Sequence, residues 1–294
     1  MSQTRNTAAG MSKTQRRTSA RRTAAAIGRQ IVLVLAAVVV LAPLVYILMA
    51  SFKTKMDYVR NQLGLPNPFV LDNYRRLMED GQLLKWFRNS GIVTVISVTV
   101  AVGVGALGAY GFSRFNFTGK EKIFNLVIAL MIIPPIVMII PLFVLGSKAG
   151  LVNTYWSAAV IYTGLMLPFA VYLLRNFFVT IPESIMDSAK IDGCSDFGIF
   201  TKIVLPLSRS ALITLTVVSV LWVWNELLIA LIFLQREELT TLVVGLIRFQ
   251  GRFRIDQPVI LAGIFASMVP MIVIYLIGQR FFVSGLTAGA LKGE

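Results

Sequence analysis

Six long apolar blocks alternate with polar stretches along the chain, and these blocks set the expected architecture. They run from about Gln30 to Ala50, Asn89 to Phe112, Ile123 to Leu145, Trp156 to Phe177, Ala211 to Leu234 and Pro258 to Phe281. A helix needs about 20 apolar residues to cross a bilayer. Backbone facing lipid must satisfy its own hydrogen bonds, so helices are the default for such blocks. The expected fold class is an all-α polytopic membrane protein with six transmembrane helices. Small residues recur in the second block at Gly103, Gly105, Gly108 and Gly111, where they permit close helix packing in lipid. Pro43 and Pro168 sit inside the first and fourth blocks, which a bundle tolerates. In the third, Pro134-Pro135 and Pro141 must interrupt the helix. Irregular backbone at membrane depth is either buried in protein or lines a wet cavity, so the 133–141 stretch is either part of a pathway or a kink that packing requires.

The polar stretches differ in kind. Residues 51–88 carry Pro66, Pro68 and a Leu71-Asp72-Asn73-Tyr74 turn, which predicts an ordered loop with a short helix after it. Residues 146–155 form a short loop, and 235–257 a longer one holding Arg236, Arg248, Arg252 and Arg254. The stretch from Ile181 to Leu207, IPESIMDSAKIDGCSDFGIFTKIVLPL, is of mixed character and too long for a turn. Pro182 suits the first turn of a helix, where its missing N–H has no intrahelical partner. Ile185, Ala189 and Ile191 give that helix an apolar stripe. Gly193 breaks it. Ser195 is an N-cap for a second short helix carrying Phe197, Ile199, Phe200 and Ile203, which Pro206 ends.

Asp187-Ser188-Ala189, the pair Asp192-Gly193, and Ile203-Val204-Leu205-Pro206 resemble the EAA…G…I-x-L-P signature of ABC importer membrane subunits. Asp187 stands where that family usually has Glu, and Ser188 where it usually has Ala, so the acid and the small residue are kept in kind. The resemblance implies the MetI-like permease fold. It also implies that 181–207 is a coupling segment that docks into a cytoplasmic ATPase through Asp187, Ser188, Ala189, Asp192, Gly193, Ile203, Leu205 and Pro206. Without a partner, the same residues would read as a re-entrant or interfacial helix pair.

Composition narrows the chemistry. The chain has 294 residues, 56% hydrophobic and 14% charged, with no His and one Cys. A soluble domain carries about 25% charged residues. A disulfide framework, a Cys/His metal site and histidine acid–base catalysis are excluded, and Cys194 reads as a small filler beside the hinge. The net charge is +14, much of it in residues 1–28, which hold Arg5, Lys13, Arg16, Arg17, Arg21 and Arg22, no acids and no apolar periodicity. That segment is expected to be a disordered tail that keeps the N-terminus in the cytoplasm, with anionic lipid as a natural contact and no role in nucleic-acid binding. Six crossings put both termini inside. The tail through Arg29 gives seven Lys and Arg, the other inner segments nine when Arg175 and Arg280 at the inner helix ends are counted with them, and the outer loops twelve, so the tail decides the orientation.

Glu226, in Trp222-Val223-Trp224-Asn225-Glu226, is the only acid in an expected membrane helix. An ionised carboxylate at that depth is costly unless paired or wetted. Two roles fit: a translocation pathway in which Asn225 and Glu226 accept hydrogen bonds from sugar hydroxyls while Trp222 or Trp224 stacks on a sugar face, or a structural pair with a cation. There is no second buried acid or His for proton relay.

The end of the chain, QRFFVSGLTAGALKG, resembles the C-terminus of maltose-type carbohydrate permeases, which implies that residues 282–294 form a cytoplasmic tail whose Thr287, Ala288, Gly289 and Ala290 reach the ATPase pair. Within TLVVGLIRFQG, the resemblance implies that Arg248, Phe249, Gln250 and Gly251 meet a substrate-binding protein. It further implies a second permease subunit, two copies of an ABC ATPase, a bacterial cytoplasmic membrane and a sugar cargo. A phosphorylated polyol is the alternative cargo, for which Arg248, Arg252 and Arg254 speak. No Gly-x-x-x-x-Gly-Lys-Ser/Thr run is present, so ATP and Mg are expected on a separate ATPase chain, and this chain is expected to bind no cofactor and no metal. A secondary transporter would show inverted repeats and buried titratable pairs, and a channel would show charge rings; neither is visible.

Overall fold

A computed structural model describes residues 13–79, 81–252 and 256–290, with the side chains of 13–25, 250–252 and 281–290 outside the description. The helices in chain order are α1 (Lys13–Ser51), α2 (Lys55–Arg60), α3 (Asp72–Glu79), α4 (Gln82–Arg114), α5 (Lys120–Ala129), α6 (Pro135–Lys148), α7 (Tyr155–Phe178), α8 (Glu183–Ile191), α9 (Asp196–Ile199), α10 (Leu205–Leu207), α11 (Arg209–Asn225), α12 (Leu228–Phe233), α13 (Leu242–Arg252) and α14 (Gln257–Ala290). Four segments are single helices long and apolar enough to cross a bilayer: Ala26–Ser51 of α1, α4, α7 and Gln257–Arg280 of α14. Two bent pairs of helices pass the same test of length and apolarity when each pair is taken together. Lys120–Ile132 and Pro135–Lys148 meet at 101°, and Asp196–Leu207 and Arg209–Asn225 meet at 77°. Counting each bent pair as one crossing gives six, but the second pair covers 196–225, whereas the fifth apolar block was expected to be one helix from Ala211 to Leu234 and is broken at Glu226.

The prolines explain where the helices break. Pro134 is extended (φ −61°, ψ 130°) and Pro135 opens α6, so two consecutive residues lack an N–H and Ile133 is held out of helical ψ at 117°. Pro141, by contrast, lies inside an unbroken α6, as do Pro43 in α1 and Pro168 in α7. The expectation of a second interruption at Pro141 is therefore corrected. Pro206 does not end its helix either. It sits inside α10, and the turn comes at Ser208 (φ −93°, ψ 15°). Upstream, residues Phe200–Val204 widen into a π turn, with the Leu205 N–H donating to the Phe200 carbonyl. Pro206 cannot donate to the carbonyl four residues back, and a widened turn makes room for its ring.

Helix α1 begins at Lys13, within the segment expected to be disordered; its Ala and Arg residues are strong helix formers and no Gly or Pro precedes Gly28 in this stretch. At the other end, α14 runs on through Ala290, so the stretch expected as a cytoplasmic tail from 282 is helical as far as Ala290.

The core lies where α4 and α7 run side by side. Of the five glycines in α4, only Gly105 and Gly108 face this contact: a Cβ on Gly105 would sit 2.6 Å from the Ala170 Cβ, and one on Gly108 would sit 3.3 Å from Val171. Gly103 and Gly111 face no atom within 4 Å. We expect Gly105→Leu to force the two helices apart and lower the detergent melting temperature of the purified chain. The overpacking cost is about 1–3 kcal/mol. Gly103→Leu, with open space around it, should leave the melting temperature unchanged. Along α1 and α6 the large apolar side chains, including Val32, Leu35, Val39, Ile136, Val137 and Ile140, are exposed, as a bilayer-facing surface requires.

Candidate functional site

The 181–207 segment folds as two short helices hinged at Gly193. Pro182 takes the cap position of α8 (φ −58°, ψ 136°), with Glu183 in the first turn, where a carboxylate favours the helix dipole. The helix closes with the Gly193 N–H donating to Lys190 O at 3.0 Å and the Cys194 N–H to Ala189 O at 2.9 Å. This paired closure needs a residue in the left-handed region, and Gly193 supplies it at φ +80°. The Ser195 hydroxyl then accepts from the Gly198 N–H at 3.1 Å and starts α9.

The face that α8 buries is not the expected stripe. Met186 and Ala189 are buried, with Ile181 beside them, and they pack on Phe178, Tyr110 and Phe200. Ile185 turns outward, and Ile191 is 86% exposed. On the second helix Ile199 and Phe200 are buried while Phe197 is 67% exposed. Asp187, Ser188 and Asp192 are exposed as well. The outer surface of this hinge thus shows two large apolar side chains set among acids. Ala189, Ile203 and Leu205 contribute to the packing against the bundle instead. Two side chains of α4 hold the segment: the Tyr110 hydroxyl donates to Asp196 O at 3.1 Å, and the Arg114 guanidinium donates to Ile181 O at 3.1 Å and to Phe178 O.

A second site lies at the break between α11 and α12. Glu226 is extended there (φ −74°, ψ 129°). Its Oε2 accepts from the Tyr162 hydroxyl at 2.8 Å, the Ile229 N–H at 2.9 Å and the Ala230 N–H at 3.4 Å, and its Oε1 accepts from the Leu228 N–H at 2.9 Å. The carboxylate therefore caps α12, and its partners are a hydroxyl and backbone donors where a cation or a sugar was expected. An open groove of about 570 Å³ runs past it, lined by Val218, Leu221, Trp222, Asn225, Glu226 and Leu227. Trp222 stands at its side, edge-on to Tyr162 at 5.8 Å. Asn225 is exposed and donates to Leu221 O at 2.7 Å. Trp224 does not belong to the groove: it is 8% exposed, its indole N–H donates to Ser267 O at 3.3 Å, and its ring meets Phe87. Pro134 and Pro135 form the exposed elbow of the bent pair and are not among the groove's lining residues.

At the end of the bundle opposite α8, the 235–257 stretch is not a loop throughout, because α13 fills Leu242–Arg252. Gly245 lets α13 lie on Trp86, since a Cβ there would come within 2.2 Å of the indole. Arg248 is exposed and donates to the Thr240 hydroxyl at 3.0 Å, and Phe249 sits edge-on to Trp86 at 6.3 Å. They border a cavity of about 370 Å³ with Gln82, Gln235 and Glu237. The stretch is fastened by residues the sequence did not single out. The Asn89 amide donates to Glu238 O at 2.7 Å and Thr240 O at 2.9 Å, and accepts from the Tyr155 hydroxyl at 2.7 Å. An Asn in an apolar helix was the available signal. Gln250 and Gly251 lie in α13, and Thr287, Ala288, Gly289 and Ala290 in the last turn of α14, but their side chains fall outside the described residues. Among the described residues no group of three or more His, Cys, Asp or Glu could hold a metal ion.

Residues 101–286 match the family model described as "Binding-protein-dependent transport system inner membrane component". The chain is 34% identical over 251 residues to the probable ABC transporter permease protein YurM of Bacillus subtilis, covering 85% of this chain and 83% of that one. It is 33% identical to the arabinooligosaccharides transport system permease protein AraQ of Halalkalibacterium halodurans, covering 85% and 91%. Its fold matches a bacterial ABC transporter involved in import of the acidic polysaccharide alginate, with a TM-score of 0.78 at 24% identity, covering 93% of this chain and 99% of that one.

Proposed function

Because this chain belongs to the family of binding-protein-dependent transport system inner membrane components, we propose that it is the permease subunit of an ATP-driven importer of oligosaccharides. It spans a bacterial cytoplasmic membrane six times with both termini inside. A second, different permease completes the channel, two copies of an ABC ATPase bind beneath, and a substrate-binding protein delivers the sugar from outside. This chain hydrolyses nothing; ATP and Mg act on the ATPase pair.

The observation that carries the reading is the outer surface of the α8–α9 hinge. A soluble-side segment that leaves Ile191 and Phe197 exposed beside Asp187 and Asp192 has the composition of an interface core with a polar rim. ATP-driven closure of the ATPases would move that surface and, through it, the bent crossings. The groove beside Trp222 and Asn225 is then the sugar path, with an aromatic side and a polar floor. Arg248 and Phe249 stand at the end that meets the binding protein.

The test is co-purification in detergent with this chain as bait. The expected result is an ATPase carrying a phosphate-binding loop together with a second permease, in a complex whose ATPase rate rises when a sugar-loaded binding protein is added. A chain that comes down alone would overturn the assignment of α8–α9.

A further inference from the structure

We propose that α4 and α7 form a single rigid strut that carries the binding-protein signal across the membrane to the α8–α9 hinge, with Asn89 and Tyr110 as its two positioning residues. The proposal rests on the reading of Arg248 and Phe249 as the face that meets the binding protein.

The ties at the outer end use both N–H groups and the oxygen of one buried side chain. Asn89 is 0% exposed. Its two N–H groups go to the carbonyls of Glu238 and Thr240, and its oxygen takes the hydroxyl of Tyr155, the first residue of α7. The next residue adds a fourth bond, the Leu242 N–H to the Ser90 hydroxyl at 2.8 Å. From the α7 side, the Asn153 oxygen accepts from the Gln235 and Arg236 N–H groups at 2.7 and 3.1 Å. The segment leading into α13 is thus fixed to both helices, and α13 itself lies on Trp86 of α4.

The inner end repeats the arrangement. Tyr110 holds the Asp196 carbonyl at the start of α9, and its ring packs on Phe200 at 5.0 Å. Arg114 holds the carbonyls of Phe178, the last residue of α7, and of Ile181, just before α8. Each end of the helix pair is therefore tied both to its neighbour and to a segment outside the bilayer.

Between the ends both helices are continuous, α7 carrying Pro168 without a break. Twenty-one residues separate Asn89 from Tyr110, about 30 Å at the helical rise of 1.5 Å per residue. Helix α4 contains no proline and no break across this distance, and Gly105 seats it directly on Ala170 of α7. The bent pairs, α5–α6 and α9–α11, turn through 101° and 77°, whereas α4 and α7 each run as a single helix. Coupling between distant sites travels through packed side chains, hydrogen-bond networks and rigid elements, and α4 with α7 is a described element bonded at both ends.

The test uses the complete importer reconstituted in nanodiscs, and reads ATPase rate with and without sugar-loaded binding protein. Asn89→Ala cuts the outer tie; Tyr110→Phe removes only the hydroxyl at the inner one. Each single variant should keep its basal ATPase rate within about twofold and lose stimulation by about fivefold or more, the scale of a typical coupling between sites. Because both act on one strut, the double variant should be no worse than the worse single. Retained stimulation in both singles, or a double loss equal to the product of the two, overturns the strut. Should Asn89→Ala fail to assemble, Tyr155→Phe removes the hydroxyl that orients Asn89 and serves in its place. Arg248→Cys, in a Cys194→Ser background and labelled at its thiol with a benzophenone maleimide for photo-cross-linking, separates this from the underlying reading. If it captures no binding protein, the docking face is wrong and the strut falls with it. Capture with stimulation intact in both variants overturns the strut alone.

Discussion

Ile191→Asp combined with Phe197→Asp should abolish ATP-driven uptake while the chain still enters the membrane and still pairs with its partner permease. Both side chains are large, apolar and mostly exposed, so the fold of this chain gains little from them; surface changes of this kind usually cost within about 0.5 kcal/mol. An interface loses far more. Burying a side chain of this size is worth about 1.5–3 kcal/mol, and two together about 3–6 kcal/mol. That is a fall in ATPase affinity of roughly 10² to 10⁴. The control is Asp187→Lys, which reverses a charge on the same face. A rim charge mostly alters association rate and salt dependence, whereas a desolvated one costs 2–5 kcal/mol or more. Asp187→Lys should therefore also stop coupling if the carboxylate is covered, with membrane insertion unchanged. The measurement is the ATPase content of the detergent-purified complex alongside sugar uptake by cells. Uptake that survives both variants would remove α8–α9 from the ATPase interface.

Lengths were the most legible property of this sequence, and faces the least. Five of the six apolar blocks reappear as a long helix or a bent pair, because about 20 apolar residues suit a bilayer crossing, while the fifth is split at Glu226. Ser195 and Gly193 were readable for the same local reason: a cap and a left-handed residue act within a few positions of themselves. What failed depended on neighbours. Ile185 and Met186 are adjacent and both apolar, so the pattern alone cannot say which one faces Phe178, and the bundle selected Met186. Gly103 and Gly105 are two positions apart and only one meets Ala170. Pro134-Pro135 breaks the backbone because two successive donors vanish, while the lone Pro141 costs one bond that the helix survives. Trp222 and Trp224 looked equivalent in sequence, yet they point to opposite sides of α11, one to the groove and one to Ser267. The role of Asn89 was hidden because its partners are backbone carbonyls about 150 residues away, which no local pattern records.

Glu226 is where the two readings of a half-buried carboxylate separate most clearly, and Glu226→Leu should prevent assembly of a stable complex. The substitution leaves the Tyr162 hydroxyl and the N–H groups of Leu228 and Ile229 without their acceptor. In water-soluble proteins each orphaned buried group costs about 1–3 kcal/mol. Between membrane helices the average bond is worth only about 0.6 kcal/mol, because the unfolded chain in lipid also finds partners. Even the lower scale gives about 2 kcal/mol for three groups, and α12 has only six residues with which to resist unwinding. Glu226→Gln is milder. Its carbonyl can replace Oε2 before Tyr162 and Ile229, but its amide then faces the Leu228 N–H, donor against donor, and the favourable charge at the helix start is gone. The complex should assemble with a lower melting temperature and slower uptake. Tyr162→Phe decides what the carboxylate is for. Tyr162 is fully buried behind Trp222 and does not line the groove. If the cap is the function, Tyr162→Phe should lower the melting temperature in the same direction as Glu226→Gln and slow uptake with it. If Glu226 acts by holding sugar, Tyr162→Phe should leave uptake untouched, and Glu226→Gln should raise the sugar concentration needed for half-maximal transport while the melting temperature stays where it was.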